Sequence, residues 1–437
     1  MNKKLKLQKP TGMHDILPSD QKYFEKVYNT CKSVADFYGF SKIDTPILEE
    51  TELFIKGTGE TTDIVQKEMF TLRTKGGDSL TLRPEFTPGI VRAYIEHGMK
   101  NLPQPVKLYS FGPLFRFEKP QAGRYRQFNQ FNLEIIGEDS PIADVQIIQI
   151  FYNILSELKF KKLIVKINSI GDSQCRSYYR KLLTNYCRSR QRLLCSDCQR
   201  RLKENPLRVL DCKEETCQRT FSQAPQIIDH LCEECHSHFK LVLEFLDEIE
   251  MPYSLDPYLV RGLDYYTKTA FEIFVEDTAG TVPAQQGQSP LSKSALSGGG
   301  RYDNMVKIFS GEDVAAVGGA MGVERIILAM KGLDIKLTET PNIQIFLIQL
   351  GELAKRKSLK LLEGFRKAKI QISEALGKDS LKTQLGIANK LKIKYVLILG
   401  QKEALDGTII IKDMELEKQE IVKLEEVVGE MKRRLKA

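Results

Sequence analysis

The chain has 437 residues, 42% hydrophobic and 28% charged, with 65 basic against 57 acidic side chains and a net charge of +8. That length predicts two to four domains with ample core, and the modest positive balance is compatible with a polyanionic partner without demanding one. No apolar run approaches the 18 residues of a membrane span, and the basic start MNKKLKLQKP has no hydrophobic segment behind it, so neither a span nor a secretory signal is expected. The expectation is a cytoplasmic protein whose nine cysteines are thiols or metal ligands rather than disulfides.

In chain order, Phe24, Val27, Cys31, Val34 and Tyr38 recur at three- and four-residue steps and predict a helix over 20–38, ended by Gly39. Phe40 to Glu49 contains Pro46 and reads as an extended edge; with the helix it suits either core packing or a dimer seam. A polar loop (57–63) leads to short strands at Met69–Leu72 and Leu80–Leu82 around a Gly76–Asp78 turn. Arg83, Glu85 and Thr87 alternate, so they share a face at a strand end before a helix begins near Pro88. Gathered at the mouth of a sheet they form a candidate small-molecule site, with Glu85 suited to a substrate ammonium group.

Phe111 to Gly137 reads as strand, long cationic loop, strand. Arg116 and Glu118 follow an apolar run, Lys119, Arg124 and Arg126 lie in the loop, and Phe128 to Ile136 alternates. A hairpin needs only two to five loop residues. A longer loop this rich in arginine suits an anion such as a nucleotide phosphate or a nucleic-acid backbone. Gln130 and Glu134 lie four apart and so share one strand face.

A helix over 141–160 and a buried-type strand at 163–168 precede a helical insertion (175–240) that holds eight of the nine cysteines. Cys195-x-x-Cys198 and Cys232-x-x-Cys235 read as two knuckles of one tetrahedral zinc site. Their separation exceeds that of compact zinc ribbons, so reduced core thiols are preferred to a structural zinc, and no catalytic metal is expected. In 258–274, Arg261, Tyr265 and Tyr266 beside Gly262 suit a pocket, the arginine for an anion and a tyrosine for a planar polar ring; a surface tyrosine cluster is the competing reading. A polar loop (276–296) ends in Ser297-Gly298-Gly299-Gly300-Arg301-Tyr302-Asp303, where glycines allow close backbone approach. Residues 314–330 run from a glycine-containing strand into a helix at about Val323, with Arg325 in its first turn. After a polar linker (333–342), strands in IQIFLIQL, KIQISEAL, KYVLILG and TIIIKDM alternate with helices at 351–368, 379–391 and 420–436, a small α/β module.

Several of these blocks together resemble the bacterial histidyl-tRNA synthetases, class II aminoacyl-tRNA synthetases, over almost the whole length. KPTGMHDILP resembles the family's N-terminal signature, the helix with Pro46 motif 1, FRFEKPQAGRYRQF motif 2 and GGAMGVERI motif 3; LVRGLDYYTKTAFE and SGGGRYD resemble blocks peculiar to the histidyl enzymes. The resemblance implies an α+β class II core with an antiparallel sheet flanked by helices (1–174 and 241–332), the Cys-rich insertion, and an anticodon-binding α/β domain (343–437). It implies ATP-dependent ligation of histidine to tRNA(His) through a histidyl-adenylate, with Mg²⁺ neutralising the β- and γ-phosphates, in a cytoplasmic homodimer.

It also implies roles. Arg116 and Arg261 would hold the α-phosphate and Arg325 the tail of ATP, while Glu118, Phe128 and Arg124 would meet adenine or ribose, the adenine face and pyrophosphate. Glu85, Thr87 and Gln130 would take the α-amino group. Glu134 and Tyr266, with Tyr265 and Arg261 beside them, would face the imidazole, and Gln121 would meet the tRNA acceptor end. Phe86 and Asn129 depart from the commonest pattern. The alternatives are a non-catalytic paralogue regulating ATP phosphoribosyltransferase, or an RNA-binding sensor.

Overall fold

Eight strands, joined by long loops, helices and an insertion, build one main sheet. The computed structural model describes residues 7–275, 295–337, 343–377 and 380–435. All but the last two residues of the predicted loop 276–296, and 338–342 of the linker, lie outside that set. The chain divides into a unit of residues 1–337 and a unit of residues 338–437.

The strands of the first unit are β1 (Ser41–Lys42), β2 (Leu48–Glu50), β3 (Phe70–Arg73), β4 (Ser79–Leu82), β5 (Val106–Phe115), β6 (Gln127–Ile136), β7 (Leu163–Ser169), β8 (Tyr253–Leu255), β9 (Thr267–Val275), β10 (Ser297–Arg301) and β11 (Ala316–Gly322). The main sheet has the order β1-β5-β6-β11-β10-β9-β7-β8, antiparallel throughout except for its parallel edge pairs β1–β5 and β7–β8; β2, β4 and β3 form a separate small sheet. Sequence neighbours make the β5–β6 hairpin, but β6 pairs next with β11, nearly two hundred residues on, and places Gln130 opposite Gly322 and Glu134 opposite Gly318.

The helices are α1 (Pro18–Phe37), α2 (Thr51–Thr58), α3 (Thr87–Glu96), α4 (Pro141–Glu157), α5 (Ser173–Arg188), α6 (Ser196–Glu204), α7 (Glu215–Phe221), α8 (Glu233–Glu248), α9 (Met305–Ser310) and α10 (Val323–Gly332). Proline in the first turn starts α1 and α4, where its missing N–H costs nothing. α4 buries Ile147, Ile148, Ile150, Phe151 and Ile154 on more than one face, so it lies in the core, packed with α1 and α8 and against the sheet. α1 turns Val27, Cys31, Val34 and Ala35 into the same core, which makes its predicted stripe an intramolecular contact. Part of the predicted 57–63 loop is the end of α2, and a single π-helical turn (Ile64–Glu68) follows; neither leaves a signal in apolar spacing.

One charged cluster lies inside this core. Arg301, at the end of β10, is fully buried and forms a two-pronged pair with the equally buried Asp144 of α4. It also donates to the carbonyls of Glu138 and Ser140 and to Asp303, while His238 of α8 approaches Asp144 at 3.4 Å. Arg301 and its neighbours hold the Asp144 carboxyl down at about 2 against the opposing effect of burial.

The second unit is a five-stranded sheet, β12 (Ile345–Gln349), β13 (Ile372–Glu374), β14 (Tyr395–Leu399), β15 (Thr408–Asp413) and β16 (Gln419–Lys423), in the order β13-β12-β14-β15-β16. Its first three strands are parallel, connected through helices α11 (Glu352–Lys367) and α12 (Leu381–Lys390). The segment 420–436, expected as one helix, is instead strand β16 followed by helix Val427–Arg434. The antiparallel pairing of Gln419–Lys423 with β15 overrides the helical propensity of a run rich in Glu and Lys.

Candidate active site

The open face of the main sheet carries a cavity of ≈ 470 Å³. Phe128, Gln130 and Asn132 reach it from alternate positions of β6, as the two-residue period of a strand requires. β10 and β11 cross beside them with almost no side chains, and Ser297, Gly298, Gly318, Gly319, Ala320 and Gly322 leave the space. A Cβ on Gly318 would lie 1.7 Å from Glu134 Oε2, and one on Gly298 2.6 Å from Arg261 Nη1. This bare backbone belongs to strands in mid-sheet, where it packs against Glu134 and Arg261.

One end of the cavity is carboxylate. Glu85, just before α3, accepts hydrogen bonds from Thr58 Oγ1 (2.6 Å) and Tyr265 Oη (2.8 Å). Glu134 accepts from Thr87 Oγ1 (2.6 Å) and from Tyr302 Oη. Both are buried, and desolvation pushes both carboxyls up, Glu134 to about 7.

The raised Glu134 value has a definite sign in stability. Below the ordinary carboxyl value of 4.5 the group is protonated folded or unfolded, and the fold bears no penalty. As pH rises from about 4.5 to about 7 the unfolded chain ionises first, and folding loses up to roughly 3 kcal/mol. Asp144 adds no slope in that window, because its stabilising effect is lost only as pH falls toward 2. The wild type should therefore lose melting temperature between pH 5 and 8, and Glu134→Gln should flatten that fall. Parallel curves for the two proteins would show that Glu134 ionises normally.

The other end is crowded with cations. Arg116 donates from Nε to the Pro84 carbonyl (2.9 Å), and its guanidinium sits 5.5 Å from the Phe128 ring centre. Arg124 pairs with Glu118 at 3.3 Å. Arg325, at the start of α10, reaches the Gly123 carbonyl from Nε (3.2 Å). Arg261 pairs with Glu272 and lies 5.5 Å from the Tyr266 ring centre, while its buried Nε makes no hydrogen bond among the described residues. Burial, followed by repulsion from Arg124, lowers both Arg325 and Lys213. These cations lack part of their counter-charge, a need that an incoming polyanion meets.

Of the residues singled out in the sequence, Glu85, Thr87, Arg116, Glu118, Arg124, Phe128, Gln130, Arg261, Tyr265, Tyr266 and Arg325 line this one cavity. Glu134 sits against its wall with both oxygens engaged. Gln121 lies outside, exposed at the hairpin tip, where its backbone pairs with that of Arg124. Sequence reasoning missed Thr58, Asn132, Glu272 and Tyr302. Asn132 could have been found midway between Gln130 and Glu134 on the same strand face. It also missed Arg208, Asp211 and Lys213, which reach the cavity from the Cys-rich insertion and carry no local signal of doing so.

The cysteine pairing needs correction. Cys195 and Cys198 do not join Cys232 and Cys235. They converge with Cys212 and Cys217, while Cys232 and Cys235 converge with Cys175 and Asp172. Each knuckle finds the partners that the insertion's helices bring to it, and two separate four-ligand groups result.

Residues 12–326 match the family model described as histidyl-tRNA synthetase, and residues 344–434 the one described as an anticodon binding domain. The chain belongs to the histidyl-tRNA synthetase family. It is accordingly an aminoacyl-tRNA ligase with the class II fold, and its reaction is the charging of tRNA with histidine. It is 42% identical over 413 residues to the histidine–tRNA ligase of Desulfitobacterium hafniense, an alignment that spans 94% of this chain and 95% of that one. The crystal structure of apo histidyl-tRNA synthetase from S. aureus superposes with a TM-score of 0.78 at 34% identity, covering 97% and 99% of the two chains. A Bacillus halodurans structure described as an ATP phosphoribosyltransferase regulatory subunit/histidyl-tRNA synthetase shares the fold at 19% identity and a TM-score of 0.62, covering 91% and 99%. Among the described residues no helix is long and apolar enough to cross a membrane.

Proposed function

We propose that the cavity binds histidine at its carboxylate end and ATP at its cationic end, and joins them as histidyl-adenylate. A carboxylate oxygen of histidine attacks the α-phosphorus, and pyrophosphate leaves. The terminal ribose hydroxyl of tRNA(His) then attacks the acyl carbon, and AMP leaves. The observation that carries this reading is the buried Arg261 Nε, without a hydrogen-bond partner among the described residues, in a cavity shared with Arg116 and Arg325. Charge grows on phosphate oxygens in the first step, so fixed cations do the work and no nucleophilic side chain is needed.

Arg116 and Arg261 are assigned to the α-phosphate, Arg124 and Arg325 to the β- and γ-phosphates, and Phe128 to the adenine face, with Glu118 at adenine or ribose. Glu85, whose burial favours contact with a cation, takes the α-amino group with Gln130. Thr87 is held by Glu134, so it acts by orienting that carboxyl. Tyr266 and Glu134 face the imidazole, which has one donor and one acceptor nitrogen. Such polar pairing discriminates strongly against isosteres.

Mg²⁺ fits as a partner of the nucleotide. Among the described residues only the cysteine-containing groups bring three metal-ligating side chains together, so the cavity has no preformed cage. Glu68 and Glu118 both line the cavity, and burial followed by repulsion from Glu118 raises Glu68. One or two such carboxylates with triphosphate oxygens are the usual ligands of Mg²⁺, which supplies charge neutralisation when bound. The hairpin tip with Gln121 is assigned to the acceptor end and the second unit to the anticodon. A homodimer is inferred from exposed Ile47, Leu48, Leu72 and Phe117, and a cytoplasmic setting from the free thiols.

The test is ATP–pyrophosphate exchange. Exchange should require histidine and Mg²⁺, and charging of tRNA(His) should follow. A folded wild-type protein with no histidine-dependent exchange would sink the assignment and leave a binding or regulatory role.

A further inference from the structure

The insertion carries two sets of side chains that the reaction leaves unused. In each, four ligating atoms lie within 4.8 Å of one another: the sulfurs of Cys195, Cys198, Cys212 and Cys217, and the sulfurs of Cys175, Cys232 and Cys235 with a carboxylate oxygen of Asp172. We propose that these are two structural zinc centres, Cys₄ and AspCys₃, which fix the insertion and its cavity-lining edge to the catalytic unit.

The distances suit an ion at the centre and not a bond between sulfurs. Cys195 and Cys212 are 3.8 Å apart at Sγ, far beyond the 2.05 Å or so of a disulfide. A tetrahedron with zinc–sulfur bonds of about 2.3 Å has edges of about 3.8 Å. The backbone around both sets is arranged for thiolates. Cys195 is the N-cap of α6, and its sulfur accepts from the Cys198 N–H (3.4 Å), while Cys217 sulfur accepts from the Cys195 N–H (3.2 Å). Cys232 repeats the pattern as N-cap of α8: its sulfur accepts from Cys235 N–H (3.5 Å), and Cys175 sulfur accepts from Cys232 N–H (3.0 Å). Asp172 is oriented by the Cys175 N–H on Oδ1 (2.9 Å), with Oδ2 turned to Cys232 sulfur (3.7 Å). Such hydrogen bonds orient ligands and favour the ionised thiol. Four protein ligands close each site, the mark of a structural and not a catalytic zinc.

Their positions give the ions a job. Asp172 and Cys175 stand where the chain enters the insertion, and Cys232 and Cys235 where it leaves, so one ion ties its two crossings together. The other spans Cys198 and Cys212, and between these the chain docks on the catalytic unit. There Asn205 donates to Asp264 Oδ1 (2.7 Å), Arg208 pairs with Asp63 (2.7 Å), and Lys213 follows into the cavity. The insertion's own small core packs Cys187, Cys198, Cys212 and Cys217 with Tyr179, Leu183, Leu202 and Phe221, and a module this small gains from a metal staple. On binding, each thiol's proton passes to solvent as its sulfur takes the metal.

The full chain, purified reduced and without chelator from zinc-supplemented medium, should contain about two zinc ions per chain by elemental mass spectrometry. Cys198→Ser with Cys212→Ser should remove one, and Cys232→Ser with Cys235→Ser the other. If a variant does not fold, Co²⁺ exchanged into the wild type reads the geometry directly, by tetrahedral ligand-field bands and thiolate-to-cobalt charge transfer. Folded protein that carries no stoichiometric zinc and takes none up on titration would overturn the proposal, as would full zinc retention in both double variants or octahedral cobalt spectra. None of these readouts depends on catalysis, so failure of the adenylation reading would not affect them.

Discussion

Arg261→Ala should lower histidine-dependent ATP–pyrophosphate exchange by about 10²–10³-fold, the usual cost of deleting one preorganised donor to a developing oxyanion. Arg261 meets three conditions for such a donor: it is held by Glu272, it lies beside the Tyr266 ring, and its Nε is without an acceptor among the described residues. The loss should appear in kcat more than in KM for ATP, because the charge it meets is greatest in the transition state. Arg261→Lys should recover little, since a point charge replaces a two-pronged fork. Circular dichroism and melting of the variant check that the fold is intact. A loss below tenfold in folded Arg261→Ala would remove Arg261 from the catalytic set.

The second large effect falls on stability. Arg301→Met should destabilise the catalytic unit by about 3–5 kcal/mol, because it strands the fully buried Asp144 carboxylate. Converting both partners, Arg301→Met with Asp144→Leu, should restore part of the loss, since an apolar pair of similar volume no longer buries a charge. Denaturation of the single and double variants measures the difference. If the single variant loses less than about 1 kcal/mol, His238 and the neighbouring carbonyls do not depend on the pair and the network is not a unit. Arg301 joins β10 to α4, so this pair also fixes the strand on which Ser297 and Gly298 line the cavity.

Local sequence determined a good deal. The apolar stripe of α1, the β5–β6 hairpin with its arginine-rich loop, and the strand-to-helix step at Val323 follow from period, turn residues and charge, because each is set by neighbours within a few residues. Motif order along the chain then carried the family, and with it eleven of the residues that line the cavity. The tertiary structure decided what depends on contacts between distant segments. β6 pairs with β11, which sets Gly318 against Glu134 and makes the glycine-containing strand the bare floor of a pocket. Gln419–Lys423 becomes a strand because β15 offers it a partner. Lys213 reaches the cationic end of the cavity only because the insertion folds back onto the catalytic unit. The cysteines show the division most sharply: C-x-x-C spacing identified two knuckles, but not that each closes on a different pair of ligands. Spacing fixes ligands within one helical turn, whereas the remaining corners of a tetrahedron come from whichever segments the fold brings within a few ångströms.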